Sequence, residues 1–217
     1  MLKTPHPPFE TIEDALEKIT NHSKNFHFQM REDLITDDAI IYESIQSNIF
    51  RGLRAVNHRP SDIYRKWAKA NFDSIYLCLQ NCQVQEEFDI LIRKYTNKLL
   101  DNWKENARQK LVYGPASKII NLLIKTIQES KNYKIESITR FQHIPWDSYT
   151  LLPLRNVINE LSNTNFCINI PKNASMSFIN SPELYNLLRV VIFNLYKDIP
   201  EQPPIIYYDY FAWNSNH

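Results

Sequence analysis

Glycine is almost missing from this chain of 217 residues, with only Gly52 and Gly114 present. A fold of many tight, left-handed turns is therefore disfavoured, and helices are expected nearly throughout. Cysteine is also scarce: Cys78, Cys82 and Cys167 make an odd set with no zinc-type spacing, which suits a reducing compartment better than a disulfide framework. Cys78 and Cys82 stand four residues apart on an expected helix, where buried packing is the commoner role for such a pair. No run approaches the roughly 18 apolar residues of a membrane span. The opening MLKTPHPPFETIEDALEK carries acids where a signal peptide needs its apolar region, so the cytoplasm is the expected location.

The chain also lacks net charge, at +1, but the charge is unevenly spread. Residues 1–92 carry 10 basic and 14 acidic side chains, residues 93–134 carry 10 and 3, and residues 135–217 carry 5 and 7. The middle segment is thus +7, and screening confines its field to about 10 Å at moderate salt, so a nearly neutral protein can still bind a polyanion locally. A solvated lysine-rich helix face is the plainer alternative. Hydrophobic residues at 43% and charged residues at 23% are ordinary globular values, and a chain of this length buries about 70% of its unfolded surface.

Apolar residues recur at intervals of three and four, which predicts a mainly α fold. Thr11, Glu13 and Asp14 open a first helix, and Asp37 and Asp38 a second that passes Ile40, Ile41, Ile45 and Ile49 to end near Gly52. Pro60 and Ser61 start a third through Ile63, Trp67, Ile75 and Leu79. A fourth is expected from about Val84 to Lys110, with a core stripe of Phe88, Leu91, Ile92, Tyr95, Leu99 and Trp103. Tyr113-Gly114-Pro115 then reads as a helix-turn-helix junction, the next helix running from Ala116 to about Gln128. Asp147 reads as the N-cap of a helix through Leu151, Leu154, Val157, Ile158 and Leu161, with Pro153 predicting a bend or a displaced start. Phe166 to Ile170 reads as a short extended segment, and Ser181-Pro182-Glu183 as the start of a last helix. The aromatic tail EQPPIIYYDYFAWNSNH is expected to pack back on the domain. The whole is expected to be one domain, with a helical lobe at about 10–110, a hairpin and catalytic lobe at about 111–199, and the tail at 200–217.

The stretch that carries chemistry is Gly114-Pro115-Ala116-Ser117-Lys118, followed by Ile144-Pro145-Trp146-Asp147, with Asp147 29 residues after Lys118. A helical hairpin at Gly114 would present backbone N–H groups to a phosphate, with the lysine on the first turn of the next helix. This G-x-x-x-K with I-P-x-D order resembles the helix-hairpin-helix DNA glycosylases, in particular the 8-oxoguanine glycosylase and lyase branch with its archaeal members. The resemblance covers about 35 residues, and Ala116 stands where that family usually has a second glycine. It implies two helical lobes around a cleft, double-stranded DNA with a modified base as partner, no cofactor and no metal, and a monomer with no membrane.

The resemblance implies Lys118 and Asp147 as the catalytic pair. It also implies Gly114, Pro115, Ala116, Ser117, Lys125 and Ser148 at the DNA, and Asn121, Leu122, His143 and Trp146 around the flipped base. A lysine that attacks the sugar must be unprotonated, which burial or a positive neighbour such as Lys125 favours, and a carboxylate assists proton transfer or steadies the cationic sugar. A Schiff base then permits elimination of the 3′ phosphate. Other readings stay open: Lys118, Asn121 and Lys125 as a solvated helix stripe, Asp147 as an N-cap only, Gly114 as a helix C-cap only. A glycosylase for a phage-type hypermodified base in defence, a silent DNA-binding module and a helical interaction protein are the alternatives in function.

Overall fold

The structure is a computed structural model and describes residues 8–24, 30–45, 50, 59–107, 110–165, 168–197, 199 and 203–214. Among these the chain is mainly helical and forms no strand, only a single bridge between Arg31 and Ser130. The helices are α1 (Ile12–Lys24), α2 (Asp37–Glu43), α3 (Pro60–Gln80), α4 (Gln85–Asn106), α5 (Tyr113–Glu129), α6 (Ser148–Leu151), α7 (Arg155–Asn165), α8 (Pro182–Tyr196) and α9 (Tyr207–Asn214). No helix among the described residues is long and apolar enough to cross a membrane.

The helix starts show why these residues fold as they do. Thr11 Oγ1 accepts from the amide of Asp14 at the head of α1, and Thr36 Oγ1 from that of Ala39 at the head of α2. Pro60 and Pro182 each occupy the first turn of their helix, where the missing N–H leaves nothing unpaired. Ser181 caps α8 through the amide of Leu184. Before α4, the Glu87 carboxylate reaches back to the amides of Gln83 at 2.7 Å and Val84 at 3.3 Å. The predicted bend at Pro153 is found as a break: α6 ends at Leu151 and α7 restarts at Arg155.

Three boundaries differ from the expectations. Helix α2 stops at Glu43, well short of Gly52, which with Ile49 lies outside the described residues. Helix α4 stops at Asn106, with Ala107 already extended. Helix α5 begins at Tyr113, so Gly114 and Pro115 lie inside its first turn and form no hairpin. The physical reason is that proline is tolerated anywhere in the first turn, where amides have no intrahelical acceptor. The first bond of α5 is then Ala116 N–H to the carbonyl of Val112 at 3.3 Å. Of the expected extended segment, Phe166 and Cys167 lie outside the described residues, and Ile168 to Ile170 are irregular.

The chain divides into two compact units, the first made of residues 1–27 and 143–217, the second of 28–142. This places the break elsewhere than between 110 and 111, because α5 packs on α4 and α2 and so belongs with the helices before it. In the second unit, α4 lies against α3 and α5, and Phe88, Leu91, Tyr95, Leu99 and Trp103 of α4 and Ile119, Ile120, Leu123 and Ile127 of α5 are buried. Arg31 N–H donates to the carbonyl of Glu129 at 2.8 Å, and the Ser130 hydroxyl donates to that of Leu34, tying the start of this unit to the end of α5. In the first unit, α7 packs on α8, and α1 packs on α8 and α9. The aromatic tail forms α9, with Tyr208, Phe211 and Ala212 buried. Phe211 lies 6.0 Å from Phe9 and 5.2 Å from His22, ring to ring.

Candidate active-site residues

Lys118 is the sixth residue of α5, on its second turn, one turn later than a helix starting at Ala116 would place it. Its helix turns it inward with Ile119 and Ile120, and only 6% of its surface is exposed. Asn121, one turn further, is buried as well, and its Nδ2 donates to the Ser117 carbonyl at 2.8 Å. The solvated-stripe reading therefore fails for both residues. Leu122 and Lys125 are half-buried.

Gly114, Pro115, Ala116 and Ser117 are all buried, and the Ser117 hydroxyl donates to the Gly114 carbonyl at 2.9 Å. The expectation of an open hairpin that receives a phosphate is thereby corrected: these four residues are packed helix. The same placement removes Gly114 as a helix C-cap, since the preceding helix ends at Asn106.

In the first unit, Asp147 is the N-cap of α6, as its position before Leu151 and Leu152 predicts. Its Oδ1 accepts from the amides of Tyr149 at 2.8 Å and Thr150 at 3.1 Å, while Thr150 Oγ1 accepts from the Asp147 amide at 2.8 Å. This reciprocal box fixes the carboxylate, and Asp147 as a residue is 6% exposed. Ser148 beside it is half-buried. Trp146 is buried, and so is His143, whose Nδ1 lies 2.9 Å from the Tyr185 hydroxyl. Lys118 and Asp147 thus each hold a chargeable group largely out of water, one on α5 of the second unit and one before α6 of the first.

Sequence reading passed over the bracing of α6 by the tail. The Tyr208 hydroxyl of α9 donates to the Thr150 carbonyl at 2.9 Å, and the rings of Tyr149 and Trp213 lie 4.7 Å apart. Burial first, with the neighbouring Tyr196, Asp147 and Asp209 adding to it, pushes the Tyr208 phenol well above its ordinary range, so it stays a neutral donor. The signal was the ring density of 207–213, which predicts packing but not its target. Also passed over was the stretch RGLRAVNHR at 51–59, three arginines and a histidine without an acid, hidden inside the −4 total of residues 1–92. Among the described residues no group of three or more His, Cys, Asp or Glu is placed to hold a metal ion.

No family model matches this chain, and neither a curated protein nor a solved structure is found to be similar to it.

Proposed function

We propose that the protein excises a modified base from DNA, with Lys118 as amine nucleophile and Asp147 as its carboxylate partner, after the manner of the helix-hairpin-helix glycosylases but with packed helix in place of a hairpin at Gly114 to Ser117. The observation that carries this reading is the burial of Lys118 at the G-x-x-x-K spacing. Lysine is among the residues most rarely buried, so a buried amine at that spacing is a candidate functional group. The second support is Asp147, a carboxylate held in one orientation by two amides.

In the proposed reaction the target base is flipped out of the duplex and the Lys118 amine attacks the sugar C1′. A C–N bond forms, the glycosidic bond breaks, and the departing base takes a proton. Asp147 serves the proton transfers and steadies the cationic sugar. Loss of the sugar-ring oxygen from C1′ gives a Schiff base, after which loss of a C2′ proton expels the 3′ phosphate. Neither a metal nor a cofactor takes part. An oxidised guanine such as 8-oxoguanine is the proposed substrate, the 93–134 segment supplies attraction for the duplex, and the cytoplasm is the proposed location.

Borohydride trapping on an 8-oxoguanine duplex tests the reading. The native chain is expected to form a covalent adduct and Lys118→Gln none; no adduct with the native chain across a panel of modified bases overturns it. A second reading, a DNA-binding protein without catalysis, is favoured by the capping bonds of Asp147, which account for its position unaided. Asp147→Asn separates the two, since asparagine caps as well as aspartate. Catalysis predicts a rate lower by about 10²- to 10⁴-fold at unchanged stability, whereas silent binding predicts salt-sensitive affinity unchanged by the substitution.

A further inference from the structure

Helices α3 and α4 of the second unit bring together a group of reactive side chains, Ser74 and Cys78 from the first and Lys94, Tyr95 and Lys98 from the second. The Lys94 amine donates to Cys78 Sγ at 3.9 Å. The Tyr95 hydroxyl lies 3.7 Å from the same sulfur and 2.6 Å from the Ser74 hydroxyl. Lys94 and Lys98 both stand over the Tyr95 ring, 5.1 Å and 5.3 Å from its centre. Tyr95 is buried, so its ring is a fixed platform that holds the Lys94 amine beside the sulfur. Among the described residues no carboxylate pairs with Lys94 to draw it away.

Cys82 stands four residues after Cys78, and the two sulfurs differ. Cys78 is half-buried, whereas Cys82 is 2% exposed and its thiol donates to the Val84 carbonyl at 3.5 Å. Burial, with the charge of Glu87 added, pushes the Cys82 thiol up, which keeps it protonated and a poor nucleophile. Of the two, Cys78 is the sulfur that solvent reaches. The nucleophile aimed at it is the Lys94 amine, since the Cys82 thiol is engaged elsewhere.

We infer that Cys78 is a site of peroxide oxidation whose product the Lys94 amine captures, joining α3 to α4 through a sulfenamide bond. The Cys78 sulfur, as thiolate, attacks one oxygen of hydrogen peroxide. An S–O bond forms, the O–O bond breaks, and the other oxygen leaves as hydroxide and takes up the thiol proton as water. Sulfur is thereby oxidised to the sulfenic acid and the peroxide is reduced. The neutral Lys94 amine then gives its lone pair to sulfur: an N–S bond forms, the S–O bond breaks, and the hydroxyl leaves with an amine proton as a second water. Sulfenic acids condense in this way with backbone nitrogen, and an amine is the stronger nucleophile. Closing the distance from 3.9 Å asks only for rotation within the exposed, unbranched Lys94 side chain. The pair is separate from Lys118 and Asp147 and does not rest on the glycosylase reading.

Peptide mapping by mass spectrometry of the whole chain after treatment with hydrogen peroxide tests this. A pair of peptides joined through Cys78 and Lys94, lighter than their sum by two hydrogens and released by dithiothreitol, is expected from the native chain and from Cys82→Ser alike. Lys94→Ala is expected to lose the link and to take up dimedone at Cys78, the marker of a sulfenic acid left uncaptured. Lys98→Ala should keep the link. Both lysines are exposed, so circular dichroism should show these variants folded. A disulfide between Cys78 and Cys82, or equal dimedone uptake in the native chain and Lys94→Ala, overturns the capture. A link that retains one oxygen between sulfur and nitrogen overturns the sulfenamide. Cys78 left unmodified at peroxide concentrations that oxidise the methionines of the chain overturns the oxidation site.

Discussion

A single side chain, His22, shows how burial becomes a pH response. It lies near the end of α1 with its ring edge-on to Phe211, and this burial holds the imidazole below its ordinary range. The folded state therefore binds fewer protons than the unfolded chain at mildly acid pH. Its contribution to stability is complete above the unfolded value of about 6.5 and is lost as pH falls through the lower folded value. Thermal melts are expected to show the native Tm declining from pH 7.5 to pH 5, with a smaller decline in His22→Asn. Equal slopes would show that other groups govern acid stability. Residue-scale features of this kind were unevenly legible in the sequence. Asp147 was read as an N-cap because a short acceptor before an apolar face has one use in a helix, and the structure bears that out. Burial of Lys118 was not legible, because inward and outward lysines have the same spacing. Gly114 was misplaced because glycine before proline marks equally well the end of one helix and the first turn of the next.

At the scale of elements, α6 is too short to hold itself. Four residues make one turn, and an isolated turn fixes several backbone dihedrals for one hydrogen bond. Its geometry depends on the Asp147 cap at one end and on α9 beside it, through Tyr208 to the Thr150 carbonyl and Trp213 against Tyr149. Tyr208→Phe keeps the ring and removes the donor, leaving a buried carbonyl without that bond, which costs about 1–3 kcal/mol. Tyr208→Ala also opens a cavity and is expected to cost about 3–5 kcal/mol. Urea melts of the two variants should differ by the packing contribution; equal losses would mean that the hydroxyl alone matters. The start of α6 was foreseen from its cap and the tail was expected to pack, but neither the helix α9 beyond the expected last helix nor its pairing with α6 was foreseen. Residues 150 and 208 are separated by several helices, and local patterns of three and four say nothing about which distant turn a ring will meet.

The whole molecule presents the same limit in a larger form, since the break between units follows long-range packing that charge and periodicity do not encode. Residues 28–142 are continuous in sequence, contain the α3, α4 and α5 core, and are closed by the Arg31 and Ser130 contacts. Residues 143–217 are differently placed, because their α8 and α9 bury surface against α1, which comes from the other end of the chain. Phe9 provides two further ties: its amide donates to the Pro153 carbonyl at 2.8 Å, and its own carbonyl accepts from Asn156 Nδ2 at 2.9 Å. A fragment of 28–142 is therefore expected to be helical and to unfold in one cooperative transition, as small single domains do. A fragment of 143–217 lacks the partner for α8 and α9, and should gain helix and a cooperative melt only when a peptide of residues 1–27 is added. Circular dichroism of the two fragments, with and without the peptide, checks this. A folded 143–217 fragment indifferent to the peptide would show that α1 covers a core already complete, and an unfolded 28–142 fragment would show that the continuous unit draws its stability from the rest of the chain.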